Sequence, residues 1–373
     1  MRNSGEELSF GARDAFRGQH RSRPHIATFQ WCRMWAGCSS LSAESGASMD
    51  RRTFCVAGAW LAVFGASRAS AAPRRVVLVG GGRSTDRSSL LLIKFIREGL
   101  ADHGIVEGRD IEIEEIWADG DYKNMPKISS NALSRNPEAI LVNTISGASA
   151  VKSLTNTIPI VMLSLNDPIR AGLAESLANP GGNITGVATS GEESLLKLLD
   201  IGFEAFPKIG TIAAISNPLN PSNITLEKAF SNQCEKRGAT ARIHRWDPSK
   251  SFPNFSDEIF ASRPDTLIIM PDSALNANAK AFCLLAIEKK VGLLASVRQF
   301  AEEGALISYG YVHRDNVKRA IYFLKRVLEG EKAAKLPIEQ PSRFELVINM
   351  RTARALDVDL PPYLLGRADE IME

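Results

Sequence analysis

Short apolar runs alternate with amphipathic segments along residues 73–373, and this alternation predicts the fold class. The stretch 75–79 is apolar and rich in β-branched residues, 88–103 carries its apolar residues on one helical face, and Ile111–Trp117 alternates apolar and acidic positions. These segments predict a βαβ unit. Continued alternation of this kind predicts a parallel sheet covered by helices on both faces.

The same order of elements occurs twice. The first series continues with helices near 122–135, from about residue 147 and near 171–177, and with strands at 139–142 and 158–163. The second series has helices at 191–206, 222–238 and 255–262, strands at 211–215, 241–244 and 266–270, and a later strand at 305–308. Segments 134–142 and 262–269 also match, since both combine a helix end, a proline, an acidic residue and a buried strand.

This repetition predicts an α/β protein made of two doubly wound parallel-sheet lobes joined by a hinge. The predicted first lobe spans 73–187 and is completed by about 309–335. The second spans 188–308 and is completed by about 336–373, with the first crossover near 186–191. Gly186 and Gly310 are either hinge neighbours or ordinary turn residues.

An apolar run of eleven residues, 56–66, precedes the predicted lobes. It follows Met49-Asp50-Arg51-Arg52 and ends near Ala69-Ser70-Ala71, the pattern of a secretory signal peptide, and it is too short to span a bilayer. We therefore predict a signal peptide at 49–72, with a buried core helix as the alternative. Residues 1–48 are then an upstream misreading of the start codon or a disordered leader. The paired arginines leave both the Sec and the twin-arginine routes to the periplasm open.

Charge and cysteine usage narrow the classes of function. The chain has a formal charge of +3, but residues 73–373 contain 36 Lys and Arg against 37 Asp and Glu, which gives no electrostatic basis for nucleic-acid binding. No Cys lies just after the apolar run to carry a lipid anchor, so we expect no stable membrane insertion after signal cleavage. Cys234 and Cys283 are interpreted as buried thiols, with a disulfide as the alternative.

Neither a metal nor a cofactor is predicted. Three His residues are far apart in this part of the chain, and no CxxC spacing occurs. The glycines at 80–82 follow a strand, but a dinucleotide fingerprint would need Gly at the position of Thr85. Phosphate-loop, HExxH and GxSxG motifs are absent from the sequence. We therefore expect no enzyme, although paired carboxylates stay open as an alternative.

Candidate binding residues lie in the loops that leave the predicted strands, where open parallel sheets bind ligands. These loops are small, polar and mostly uncharged, which suits a small polar or zwitterionic solute. The candidates are Ser84, Thr144, Ser146, Asp167, Asn217, Asp272, Ser273, Ser296 and Tyr309. Each of the Ser, Thr, Asn and Asp residues is equally consistent with a helix N-cap.

Two acids occupy corresponding points of the two lobes. Asp167 and Asp272 can hold a ligand ammonium, while the helix start at Ser146 receives a ligand carboxylate. An N-cap or Asx-turn is the alternative for both acids. Tyr309 either stacks on the ligand or lines the hinge.

Several motifs resemble those of the ABC-transporter substrate-binding family related to the tryptophan/tyrosine-type binding proteins. They include the strings Asp167-Pro168 and Asn-Pro-Gly-Gly-Asn-Ile-Thr-Gly at 179–186, together with Ser-Asn-Pro at 216–218. The resemblance covers 74–373. It implies a type I periplasmic-binding-protein-like fold with three interlobe crossovers, which closes over a small polar or amino-acid-like solute and presents it to an ABC permease with its ATPase. A ligand-sensing input protein for a signalling partner is the alternative.

Overall fold

The structure is a computed structural model that describes residues 72–247 and 252–373. The predicted leader and residues 49–71 of the predicted signal peptide lie outside the described residues. The first series of elements comprises β1 (Arg74–Gly80), α1 (Arg87–Asp102), β2 (Ile111–Trp117), a 3₁₀ turn (Tyr122–Asn124), α2 (Met125–Ser134), β3 (Ala139–Val142), α3 (Ile145–Leu154), β4 (Ile160–Asn166) and β5 (Ile184–Thr189).

The second series begins directly after β5. It comprises α4 (Gly191–Ala205), β6 (Thr211–Ser216), α5 (Pro221–Lys236), β7 (Thr240–Arg245), α6 (Phe252–Ala261), β8 (Thr266–Ile269), α7 (Ser273–Ala277), α8 (Ala279–Glu288), β9 (Gly292–Ala295), α9 (Arg298–Glu303) and β10 (Ile307–Tyr311). The remaining elements are α10 (His313–Leu328), a 3₁₀ turn (Ala333–Lys335), β11 (Ile338–Glu339), β12 (Phe344–Asn349), α11 (Met350–Leu356), α12 (Pro362–Leu365) and β13 (Glu370–Met372).

These strands form two sheets, which confirm the predicted fold class. The first sheet has the order β11-β5-β4-β3-β1-β2 and is parallel throughout. The second has the order β13-β12-β10-β9-β8-β6-β7, and its one antiparallel pairing joins β10 to β12. The central strands are buried on both faces, as in Val76–Val79 of β1, because helices cover both sides of each sheet.

The chain passes between the two sheets three times. It crosses at Ser190 between β5 and α4, at Val312 between β10 and α10, and at 340–343 between β11 and β12. Helix α10 packs through Val317, Ile321 and other apolar residues into the core under the first sheet. Two lobes connected by three crossovers result, and we refer to them by their sheets.

The two matching sequence segments have the same structure. Asn136 and Arg263 both adopt left-handed backbone angles, with φ of 51° and 49°, immediately before the proline. In each lobe the acidic residue after the proline donates its backbone N–H to the neighbouring strand. Glu138 donates to Arg75 O (2.8 Å), and Asp265 donates to Thr211 O (2.9 Å). The sequence similarity therefore reflects the same helix-to-strand joint in both lobes.

One predicted helix is absent, and the strands β5, β11, β12 and β13 have no predicted counterpart. Residues 171–177 form turns, in which Leu173 N–H donates to Pro168 O (2.8 Å), and the following Pro-Gly-Gly sequence favours turns over a helix. The first crossover, at Ser190, lies within the predicted range 186–191, and residues 184–189 before it form β5 of the first sheet.

Neither Gly186 nor Gly310 lies in a turn. Gly186 has φ of +121° in β5, and a Cβ there would lie 2.6 Å from Met162 N. Gly310 lies in β10, where a Cβ would meet Ser296 O at 1.8 Å. Close approach of two strands explains both glycines.

Candidate functional site

A cavity of about 120 Å³ lies between the two lobes, at the carboxyl ends of their strands. A volume of this size holds on the order of ten water-sized groups, which suits a small solute. Its polar lining comprises Ser88, Ser89, Tyr122, Asn143, Thr144, Ser164, Asn166 and Thr189 from the first lobe, Asn220, Ser222, Asp272, Ser273 and Asn276 from the second, and Tyr311 and His313 beside the second crossover.

The loop after β3 forms the first-lobe side of the cavity. Thr144 is the N-cap of α3, and its Oγ1 accepts a hydrogen bond from Gly147 N–H (3.0 Å). Asn143 Oδ1 accepts the backbone N–H of Gly81 (3.0 Å). Gly81 is required here, because a Cβ would lie 2.6 Å from Thr144 Cγ2. The side chains of this loop are therefore held in place before any ligand arrives.

Asp272 is the most highly coordinated side chain of the site. As N-cap of α7, its Oδ1 accepts the backbone N–H groups of Ala274 (2.9 Å) and Leu275 (3.0 Å). Asn217 and Asn220 donate side-chain N–H groups at 3.1 and 2.9 Å. Burial raises the pKa of Asp272, and these donors oppose that shift by stabilising the carboxylate.

Tyr122 links the two lobes across the cavity. Its hydroxyl, carried by the first lobe, donates to Asp272 Oδ2 at 3.1 Å, and both side chains are buried. Burial raises the pKa of Tyr122 well above its usual value, and the neighbouring carboxylate raises it further. The hydroxyl therefore stays protonated and acts as the donor of an interlobe hydrogen bond.

A second interlobe contact lies at the rim. Arg87, at the start of α1, pairs with Glu302 at 2.7 Å and also with Glu303, both in α9 of the second lobe. Together with the bond between Tyr122 and Asp272, this ion pair shows that the lobes touch around the cavity.

The cavity contains almost no net charge. Its described lining includes neither Lys nor Arg, and Asp272 is its one acid. Burial lowers the pKa of His313 to about 4, so this imidazole is neutral at pH 7. Burial raises the pKa of Tyr311, although a hydrogen bond with Ser164 works against the shift. Neutral hydroxyl and amide groups therefore dominate the surface that a solute would meet.

Several amide groups of this lining are available to a ligand. The Nδ2 groups of Asn143 and Asn166 and the side-chain amide of Asn276 have no hydrogen-bond partner within the described part of the chain. Asn166 Oδ1 is already occupied by the backbone N–H of Gly191 (2.9 Å), which fixes the orientation of its free amide. Amides so placed offer donors from both lobes.

The nine predicted site residues are distributed unevenly. Thr144, Asp272 and Ser273 line the cavity, and Asn217 lies behind Asp272 as one of its donors. Asp167 is located at a second cavity and pairs with Arg170 at 3.0 Å. The other four do not line the central cavity: Ser84, Ser146, Ser296 and Tyr309. Tyr309 instead packs in the second-lobe core and stacks on Phe344.

Sequence reasoning missed the three free asparagines and both cavity tyrosines. Asn143 and Asn166 lie in loops that already contained candidates, and Asn276 follows Ser273 by three residues, which places both on one helix face. These three were within reach of the sequence. Tyr122 and Tyr311 were not, because only the packing of the two lobes brings them to the cavity.

Comparison with known proteins gives the family. Residues 86–372 match the ABC transporter substrate binding protein family. The chain belongs to this family. It is 27% identical over 261 residues to a tyrosine-binding protein of Clostridioides difficile, which covers 70% of this chain and 75% of that relative.

Two solved structures share the fold of this substrate-binding protein. The ABC domain from Streptococcus pneumonia in complex with L-Trp has a TM-score of 0.73 and 22% identity, covering 80% of this chain and 100% of that one. A conserved domain protein from Vibrio cholerae has a TM-score of 0.73 and 21% identity, covering 80% and 99%. The resemblance inferred from the sequence motifs is thereby confirmed at the level of family and fold.

The remaining chemistry of the described ranges is simple. Within 72–247 and 252–373, no group of three or more His, Cys, Asp or Glu residues is placed to hold a metal ion. Cys234 and Cys283 are both free and buried, and burial raises the pKa of each thiol to about 12. Among the helices described, none is both long and apolar enough to cross a membrane.

Proposed function

We propose that this protein captures a small amino-acid-like solute between its two lobes and delivers it to an ABC permease and its ATPase for import. The observation that carries the proposal is the central cavity, which is lined from both lobes by neutral hydroxyl and amide groups. Such a lining suits a zwitterion, whose carboxylate and ammonium need donors and acceptors without a large net charge.

The geometry supports a role for each half of the cavity. The start of α3, with Thr144 as its N-cap, offers a positive helix end to a solute carboxylate. Asp272 and the free amide of Asn276 provide acceptors on the second-lobe side. Asp272 differs here from the simple ammonium ligand predicted from sequence, because five donors already contact it. A solute ammonium would share this carboxylate with the Tyr122 hydroxyl.

The same arrangement supports hinge closure. A solute that touches both lobes favours the arrangement in which they meet, so affinity and closure form one coupled equilibrium. The three crossovers provide the hinge, with lobe limits close to those of the two sheets. Export through the predicted signal peptide at 49–72, by the Sec or twin-arginine route, places this capture step in the periplasm.

The relatives guide the choice of solute. One is named for tyrosine binding and another was solved with L-Trp, and the rings of Tyr122, Tyr311 and His313 supply aromatic surface around the cavity. The test is calorimetric titration of the purified protein with L-tyrosine and L-tryptophan, with an acetate salt at the same concentration as the control. Native mass spectrometry of the protein as isolated identifies any solute that copurifies. Binding of an amino acid without turnover supports the proposal. Failure of a broad amino-acid panel, with no copurified solute, would refute it.

A further inference from the structure

A second cavity, of about 420 Å³, lies on the hinge side of the central one. Its walls come from 167–171 after β4, from the first turns of α4, and from the start of α5. The two cavities adjoin, and four residues line both: Ile145, Asn166, Thr189 and Ser222. Its volume lies in the range of about 300–1,000 Å³ that is usual for small-molecule sites.

The lining of this hinge-side cavity combines an apolar floor with an acidic rim. The floor consists of Leu177, Ala188, Leu196 and Leu226. Glu192 and Glu193, in the first turn of α4, are exposed at the rim and have no ion-pair partner among the residues described. They leave two uncompensated carboxylates beside apolar surface.

The one basic residue of the lining does not neutralise them. Arg170 Nε pairs with Asp167 Oδ2 at 3.0 Å, and Arg170 N–H donates to Asp167 Oδ1 at 3.1 Å. This local pair uses the charge of Arg170 within its own loop. The cavity as a whole therefore favours a cation.

Thr189 provides a polar group within the hinge-side cavity. It is 6% exposed and lines the cavity, and its hydroxyl has no hydrogen-bond partner in the described part of the chain. The oxygen is accessible from the cavity, so it is open to a hydrogen-bond partner there. A polar atom of a bound molecule would supply one.

We propose that the hinge-side cavity is a binding site for a second small molecule, an amphipathic amine. Its hydrocarbon or aromatic body lies on Leu196 and Leu226, and its ammonium lies beside Glu192 and Glu193. This site adjoins the solute site, because the two cavities share four lining residues.

Occupation of this site would be coupled to solute affinity. The loop 167–171 belongs to the first lobe, whereas α4 and α5 belong to the second, so the amine contacts both. It therefore favours the arrangement in which the lobes meet. By linkage, the amine raises the affinity for the solute by the same factor as the solute raises the affinity for the amine. This coupling rests on the proposed function, whereas the site itself does not.

The test uses two probes of equal size and opposite charge. Phenethylamine and phenylacetate are titrated into the full chain by calorimetry, with an expected preference of at least about tenfold for the amine. The double variant Glu192→Gln/Glu193→Gln should weaken phenethylamine at least about fivefold, because charge-assisted pairing is lost. Glu235→Gln, an exposed acid on α5 outside the cavity, is the matched control and should change nothing.

A filling variant and a competition experiment separate the two sites. Thr225→Phe, at a half-buried lining position, should abolish phenethylamine binding and leave L-tryptophan binding intact. Saturating phenethylamine should lower the Kd of L-tryptophan at least about threefold. Equal binding of both probes, competition between phenethylamine and L-tryptophan, or insensitivity to the two glutamates would overturn the inference. If L-tryptophan binds and phenethylamine does not, only the inference of a second site is wrong. If phenethylamine binds and L-tryptophan does not, only the proposed function is wrong.

Discussion

Replacing Tyr122 with phenylalanine removes one hydroxyl and retains the ring that packs in the first-lobe core. That hydroxyl donates across the cavity to Asp272 Oδ2 at 3.1 Å. A hydrogen bond to a charged group contributes about 1.5–3 kcal/mol. We use the lower end of this range, about 1.5 kcal/mol, because Asp272 keeps its four other donors. Losing this hydrogen bond destabilises the closed arrangement, in which the lobes touch.

The consequence for affinity follows from this equilibrium. Where the open arrangement predominates without solute, the whole loss appears in binding, and about 1.4 kcal/mol corresponds to a tenfold change in Kd. We therefore expect Tyr122→Phe to weaken L-tyrosine or L-tryptophan binding about tenfold. It should also leave a larger fraction of the protein in an expanded state at subsaturating solute.

Calorimetry gives the Kd, and small-angle X-ray scattering with and without solute gives the radius of gyration. Tyr363→Phe is the matched control, because Tyr363 is 57% exposed and its hydroxyl donates to Glu204 O (3.3 Å) within the second lobe. If Kd and radius of gyration both match the wild type in Tyr122→Phe, the interlobe hydrogen bond has no role in closure and the reasoning is wrong.

Three further variants test the other groups of the site. Asp272→Asn presents an NH₂ group to some of the donors that contact the carboxylate, so we expect a loss of about 2–3 kcal/mol in the free energy of unfolding by urea; an unchanged midpoint would contradict this. Arg87→Gln removes the rim ion pair with Glu302. This pair contributes less than about 1 kcal/mol because it is partly exposed. Solute affinity should therefore fall two- to fivefold at low salt and match the wild type at 1 M salt. His313→Asn removes an imidazole whose pKa is lowered from 6.5 to about 4. The unfolded chain binds this proton first, so wild-type stability should fall as the pH drops from 6.5 to 4, with a smaller fall in the variant, measured by thermal unfolding at each pH.

The sequence by itself determined the elements and their order. The period-2 and period-3.6 patterns predicted most strands and the helices α1 to α6, and the proline-acid-strand joint at 134–142 and 262–269 revealed the internal repetition. These features are local, so they can be recognised without knowing which parts of the chain meet. Where strong turn residues followed an apolar stretch, as at 171–183, the helical pattern was misleading, and Ile184–Thr189 was missed as a strand.

Only the tertiary structure decided which polar residues form the site. Loops after β3, β4 and β8 were predicted because parallel strands end at one edge of a sheet, and Thr144, Asp272 and Ser273 are found at the cavity for that reason. Tyr122 and Tyr311 reach it through lobe packing and a crossover, which depend on contacts between residues more than 100 positions apart. The N-cap role of Asp272 depends on its neighbours in sequence, whereas its interlobe partner Tyr122 is brought to it only where the two lobes meet.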